Sequence, residues 1–199
     1  MSQSDLRPVS QPVMLFEQFI ARDRPQTLVL KEKILSLTGD SFDIKLDNGL
    51  PVLKVNAAFF SLSGRKRVED MNGNHLYNIR KELLHLLHPT YVLEDPSENK
   101  ILEVRSSVKF FRSKATATYT DPRTGRVVTL VMEGNWLDHV AKIVNEETGE
   151  TVASIFRERF NARNLIFGQD TYRVTVAQGV DMALIAGLCI CFDEKNNER

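Results

Sequence analysis

Val180-Asp181-Met182-Ala183-Leu184-Ile185-Ala186-Gly187-Leu188-Cys189-Ile190-Cys191-Phe192 is the longest nearly unbroken apolar run in the chain. It is long enough for a buried helix and falls short of the roughly 20 residues that cross a bilayer. Asp181 stands where an N-cap accepts the first free backbone N–H groups, and Asp193-Glu194-Lys195 returns the chain to water. A helix apolar on all sides has to be enclosed by something. The remaining sequence must therefore supply a sleeve.

It reads as one. From Gln26 the pattern becomes strand-like, through Thr27 and Val29 and then Ile34-Leu35-Ser36-Leu37 ahead of Gly39. Next, SFDIKL and LPVLKV flank Asp47-Asn48-Gly49, apolar and polar residues alternating on both sides of a hairpin turn. Similar units follow around Gly73, Asn99, Gly125 and Gly149, so the turn centres recur every 24 to 26 residues. Leu76–His88 has helical spacing at Ile79, Leu83, Leu86 and Leu87, but a long helix there breaks the repeat. The expectation is strand through about Lys81 and a turn before Pro89.

Tyr172-Arg173-Val174-Thr175-Val176 reads as the last strand, with Gln178-Gly179 turning the chain inward. The count approaches a dozen antiparallel strands. Such a set escapes exposed edges by closing, and a barrel of that size, unlike an eight-stranded one, leaves room for a helix. The predicted fold is a mainly β, closed antiparallel barrel of about twelve strands around a central C-terminal hydrophobic helix. Residues 25–195 form this single domain, residues 1–24 a flexible tail and residues 196–199 a C-terminal tail. Within the first tail, Met14-Leu15-Phe16 and Phe19-Ile20 are too apolar to stay exposed and are expected to pack back.

The sequence of 199 residues suits one domain, and 42% hydrophobic with 26% charged residues permits a substantial core. Lys plus Arg equals Asp plus Glu at 26 each, so attraction to nucleic acid or anionic membrane requires a local patch. Cys189 and Cys191 are two apart on the expected helix and point to different sides, which reads as neutral buried thiols in an intracellular protein. No secretory signal, myristoylation glycine or prenylation cysteine is read from the termini.

Leu35-Ser36-Leu37 through Asp40-SFDIKLDNGLPVLKV, Phe60-Ser61-Leu62 with Arg65-Lys66, and Asp70-MNGNHL through Arg80-Lys81 resemble the LURP-one-related family. So do His88 ahead of Tyr91, Gly134-Asn135-Trp136-Leu137, Phe167-Gly168-Gln169-Asp170, Tyr172–Val176 and Val180–Ala186, in order from about Gln26 to Glu194. The resemblance implies a Tubby-like fold, in a superfamily shared with the phospholipid scramblases. It implies a phosphoinositide-binding module by way of Tubby domains, and pathogen defence without established chemistry by way of the plant members. No cysteine cluster, long proline-rich leader or acidic calcium segment of the scramblase pattern is present.

The best cationic cluster is Arg65-Lys66-Arg67 with Arg80-Lys81 on the adjoining strand, preceded by Lys31, Lys33 and Lys54. Adjacent strands can gather it into a positive face for phosphates; the bland alternative is a solvated edge whose cations discourage aggregation. Arg157, Arg159 and Arg163 share their stretch with Glu158 and read as a mixed solvated face. His85 and His88 lack the third ligand of a catalytic zinc site, and His139 beside Asp138 points to the opposite face of a strand. Trp136 and Phe110-Phe111 lack a basic groove for base stacking, and neither a phosphate-cradling glycine loop nor a nucleophile elbow occurs.

The functional expectation is a non-enzymatic, cytoplasmic module with peripheral membrane association, needing no cofactor or metal and binding no nucleic acid. It captures an anionic phospholipid headgroup, phosphoinositide by the resemblance, through Lys54, Arg65, Lys66, Arg67, Arg80 and Lys81. The alternative is a protein-interaction scaffold with no lipid site, and a scramblase or enzyme ranks last.

Overall fold

The computed structural model describes residues 6–31, 42–57, 65–82, 90–107, 114–135, 140–158 and 171–197. Twelve strands follow one another: β1 (Gln26–Lys31), β2 (Phe42–Leu46), β3 (Pro51–Ala57), β4 (Lys66–Asp70), β5 (His75–Glu82) and β6 (Thr90–Glu94). The second half comprises β7 (Lys100–Ser107), β8 (Lys114–Thr120), β9 (Val127–Asn135), β10 (Val140–Asn145), β11 (Thr151–Glu158) and β12 (Thr171–Val176), with helix α1 (Met182–Asn197) last. Each strand pairs antiparallel with its sequence neighbour, and β1 pairs antiparallel with β12 from Gln26↔Val176 to Lys31↔Thr171. The sheet closes without an edge, as expected.

Short turns join β2 to β3, β4 to β5, β6 to β7, β8 to β9 and β10 to β11, all at one end of the barrel. Four of these turns carry a left-handed glycine, Gly49, Gly73, Gly125 or Gly149. In the third, the left-handed residue is Glu98 (φ 66°), one before the Asn99 taken from sequence as the turn centre. Side-chain oxygens stabilise several turns: Asp95 Oδ1 accepts from the Ser97 and Asn99 N–H groups, and Asp70 Oδ1 from Asn72 and Asn74. That short polar side chains bend the backbone locally explains why the hairpins were legible in sequence.

Inward positions on alternate residues make the core: Leu28, Ile44, Leu53, Val68, Tyr77, Leu93, Leu102, Leu130, Ile143, Ile155 and Val174 are buried. They surround α1, where no side chain from Ala183 to Phe192 is more than 2% exposed. Burying each large aliphatic side chain contributes roughly 1.5–3 kcal/mol, so the wall and the helix stabilise one another. Two details fix the helix in place. The Tyr77 hydroxyl donates to the Ala183 carbonyl at 2.8 Å, and a Cβ on Gly187 would sit 3.0 Å from both Leu93 Cδ2 and Tyr77 Oη. The helical backbone runs on to Asn197, past the Asp193-Glu194-Lys195 signal read as its exit. Neither cysteine forms a disulfide, and both are buried.

Residues 6–22, inside the stretch read from sequence as a loose tail, are built into the end that carries the short turns. Val9 and Val13 N–H groups donate to the carbonyls of Gln178 and Gly179, Ala21 N–H to Val180, and Asp181 N–H to the Val13 carbonyl. Leu6, Val13, Met14, Phe19 and Ala21 are buried, and Phe16 stacks on Tyr77 with ring centroids 5.4 Å apart. Gly179 makes the approach possible. Its φ is +88°, and a Cβ there would lie 2.7 Å from Val9 Cγ2.

Asp181 ties this plug to the helix. Its Oδ1 accepts from the N–H groups of Ala183 (2.7 Å) and Leu184 (3.1 Å), the N-cap geometry expected, while Oδ2 accepts from Leu15 (3.0 Å) and Phe16 (2.7 Å). Burial pushes the carboxyl up to about 6, against the pull of those four N–H donors.

Candidate functional site on the outer wall

On a strand, consecutive residues face opposite sides. That rule divides the cationic cluster. Lys66 pairs in register with the buried Ile79 and Lys81 with the buried Tyr91, so both stand on the inner face; Lys66 is buried and Lys81 half-buried. Lys54, Arg67 and Arg80 stand on the outer face, where Lys54 lies opposite Glu69 and Arg67 opposite Asn78. Arg65 directly precedes β4. Lys33, His85, His88, Phe110, Phe111, Trp136, Asp138, His139, Arg159 and Arg163 lie outside the described residues.

The outer cations meet carboxylates. Arg67 Nε lies 2.7 Å from Glu69 Oε1, and Asn56 Nδ2 donates to Glu69 Oε2 at 2.9 Å. Arg80 holds Glu94 through Nε at 2.8 Å and Nη2 at 2.7 Å, with Glu82 at 3.7 Å. Arg65 bridges Glu94 at 3.4 Å and Glu98 at 2.7 Å. Further round, Glu103 sits between Lys100 at 2.6 Å and Arg105. Hydrogen bonding from Lys100 comes first among the causes that hold the Glu103 carboxyl below the usual range.

Glu94 is the centre of this arrangement. Only 4% exposed on the outer wall, it is grasped by two guanidiniums, and its hydrogen bond raises the Arg80 pKa further. A buried carboxylate costs several kcal/mol in desolvation and persists only with such partners. Its partners Arg65 and Arg80 are about 30% and 27% exposed, so their outer edges still reach solvent. Glu98 adds to the grip from a left-handed backbone position that ordinarily favours glycine.

The arrangement is a face of alternating, mutually compensated charges running from β4 to β7, with the exposed Lys54 of β3 at its margin. Among the described residues, no group of three His, Cys, Asp or Glu side chains is placed to hold a metal. Nor, among the described residues, is any helix long and apolar enough to cross a membrane. Of the compensation, Arg67 with Glu69 and Arg80 with Glu82 were readable as neighbours two apart on one strand. The Glu94 contacts depend on register between strands and carried no local signal.

A family model described as LURP-one-related matches residues 26–193. The chain belongs to the LURP-one-related family. Its LURP-one-related relatives include Protein LURP-one-related 15 of Arabidopsis thaliana, 24% identical over 178 residues, covering 87% of this chain and 82% of that protein. Protein LURP1 of the same plant is 24% identical over 190 residues, covering 94% and 91% of the two chains. A crystal structure of an Arabidopsis thaliana protein covers 93% of this chain and 99% of its own, at 20% identity and a TM-score of 0.42.

Proposed function

We propose that this LURP-one-related barrel is a non-enzymatic module that binds a protein partner through its compensated outer face. The observation that supports this reading is the pairing of Arg65, Arg67 and Arg80 with Glu69, Glu82, Glu94 and Glu98. A face of fixed alternating charge suits a complementary protein surface, where such patterns confer specificity and register. An anionic bilayer, by contrast, gains from uncompensated lysine and arginine, at about 1 kcal/mol each near the surface. The test is site-specific photo-crosslinking from Lys54 on this face, with Ser154 on β11 as control. Capture of one protein from the Lys54 position alone, lost on charge reversal of Arg67 and Glu69, supports the reading; equal capture from both positions overturns it.

A second reading keeps the anionic headgroup. The exposed Lys54 beside the half-exposed Arg67, with Arg65 and Arg80 converging on one carboxylate, favours it. A phosphoinositide headgroup bound there would contact those four side chains. Lys66 and Lys81 would take no direct part from the inner face. Salt-sensitive pelleting of the wild-type chain with phosphoinositide vesicles, lost in Lys54→Ala/Arg67→Ala, is the outcome that favours this reading. In either case the module has peripheral access to its partner and carries out no reaction of its own.

A further inference from the structure

The plug at the turn-bearing end is fastened at its outer margin by a single acidic side chain. Ser10 is exposed, and its backbone N–H and hydroxyl donate to the two carboxylate oxygens of Glu150, at 2.9 and 3.0 Å. Glu150 closes the turn between β10 and β11 and is itself held by the Thr148 hydroxyl, which accepts from its N–H at 3.2 Å. On either side of Ser10, Val9 and Val13 are bonded to the chain just before the helix. The Ser10–Glu150 clasp therefore sits between two backbone anchors of the plug.

The sequence around it is Arg7-Pro8-Val9-Ser10-Gln11-Pro12, with Arg7 exposed. An arginine three residues ahead of an exposed serine matches the charge pattern by which a basophilic protein kinase selects its substrate. We infer that Ser10 is a phosphorylation site and that phosphate there opens the clasp. In the transfer, Ser10 Oγ bonds to the γ-phosphorus of ATP. The bond from that phosphorus to the ADP oxygen breaks, and the hydroxyl proton passes to the kinase's base.

The modified side chain carries about −1.5 to −2 charge at pH 7 and is set against the Glu150 carboxylate instead of donating to it. Like charges at that separation repel and the hydroxyl donor is gone, leaving only the Ser10 backbone N–H on Glu150. Arg7 stands three residues before Ser10, and Arg123 reaches the plug at the Pro12 carbonyl (3.4 Å) while engaged with Asp121 at 3.5 Å. Their attraction to phosphate is the competing effect. The experiment weighs the two.

The full chain is incubated with ATP, Mg²⁺ and the catalytic domain of a basophilic serine/threonine kinase, and the sites are mapped by mass spectrometry. Amide hydrogen exchange is then followed across residues 6–22. The expected result is phosphate on Ser10, a loss of most of it in Arg7→Ala, and exchange at Val9 and Val13 faster by about tenfold with the strands unchanged. In Glu150→Gln, phosphorylation should accelerate exchange much less, because the repelling charge is absent. Ser10→Ala reports any phosphate taken up at Ser2 or Ser4 instead. Failure to modify Ser10, or modified chain whose plug exchanges at the same rate or more slowly, overturns the inference.

Discussion

Replacing Asp181 by Asn tests the joint between plug and helix. The carboxyl's folded pKa of about 6 lies above its unfolded value of 3.8, so the group stabilises the fold below the unfolded value, and that contribution is lost as pH rises through 6. Working the two proton equilibria through, the chain loses about 1.3 kcal/mol of stability between pH 5 and pH 7 from this group alone. Asp70, Asp95, Asp121, Glu103 and Glu150 have lowered values and act in the opposite sense, losing stability only as pH falls below the ordinary carboxylate range. Of these six carboxyls only Asp181 lowers stability as pH rises from 5 to 7, and comparison with a variant that lacks it separates its part from that of every other group. Asn cannot titrate, and its single oxygen leaves one pair of N–H groups, either Leu15 with Phe16 or Ala183 with Leu184, facing an amide nitrogen. Two lost acceptor contacts cost about 2 kcal/mol, but Asn also avoids ionising a buried carboxyl, a cost of about 3 kcal/mol by pH 7. The variant should therefore match or slightly exceed the wild type at pH 7, fall behind it as pH drops below 5, and show no Asp181-linked slope between pH 5 and 7. Urea unfolding followed by far-ultraviolet circular dichroism reads both quantities. A wild-type stability that is flat or rises from pH 5 to 7, or an Asn variant with the wild-type slope, refutes the reasoning.

Tyr77→Phe removes the hydroxyl that serves the Ala183 carbonyl in the core and should lower unfolding stability by about 1–1.5 kcal/mol, seen as a lower urea midpoint with unchanged m-value. Gly179→Ala places a Cβ against Val9 at a left-handed backbone position; a loss of about 1–3 kcal/mol and faster amide exchange in residues 6–22 are expected. Glu98→Gly relieves a left-handed non-glycine residue at about 1 kcal/mol and gives up an exposed ion pair worth at most about that much, so thermal stability should hold or rise slightly. A marked fall in Tm for that variant would mean that the Arg65 contact matters more than its exposure implies.

The fold was legible because its signals are local. Asp-Asn-Gly at 47–49 and Asp-Pro-Arg-Thr-Gly at 121–125 bend the chain through their own side chains, and the alternation around them assigns the strands. The Val180–Phe192 run, apolar on every side, demanded an enclosure, and closure was the only arrangement free of edges. The plug was less legible because prolines and polar residues break up its apolar positions, which follow neither a strand nor a helix period. What holds it are backbone groups meeting Gln178 to Asp181 across the molecule, a contact that no residue pattern within 6–22 announces. The site shows the same division. The expected cationic face joins Lys66 and Arg67 although alternation along β4 puts them on opposite sides, and the approach of Arg65 and Arg80 to one buried Glu94 depends on how strands distant in sequence are staggered.

The central functional claim is that the outer cations are compensated, and vesicle co-sedimentation at low ionic strength tests it most directly. The wild-type chain is compared with Glu69→Gln/Glu98→Gln, which removes two exposed-side partners and leaves the buried Glu94 in place, using vesicles with and without a few per cent phosphoinositide. The account predicts that the wild-type chain stays in the supernatant. The double variant should pellet with phosphoinositide vesicles and be released by salt, since screening shortens the reach of exposed charges from about 10 Å at 0.1 M to about 3 Å at 1 M. Wild-type chain that pellets as strongly as the double variant, and is released by Lys54→Ala/Arg67→Ala, would contradict it.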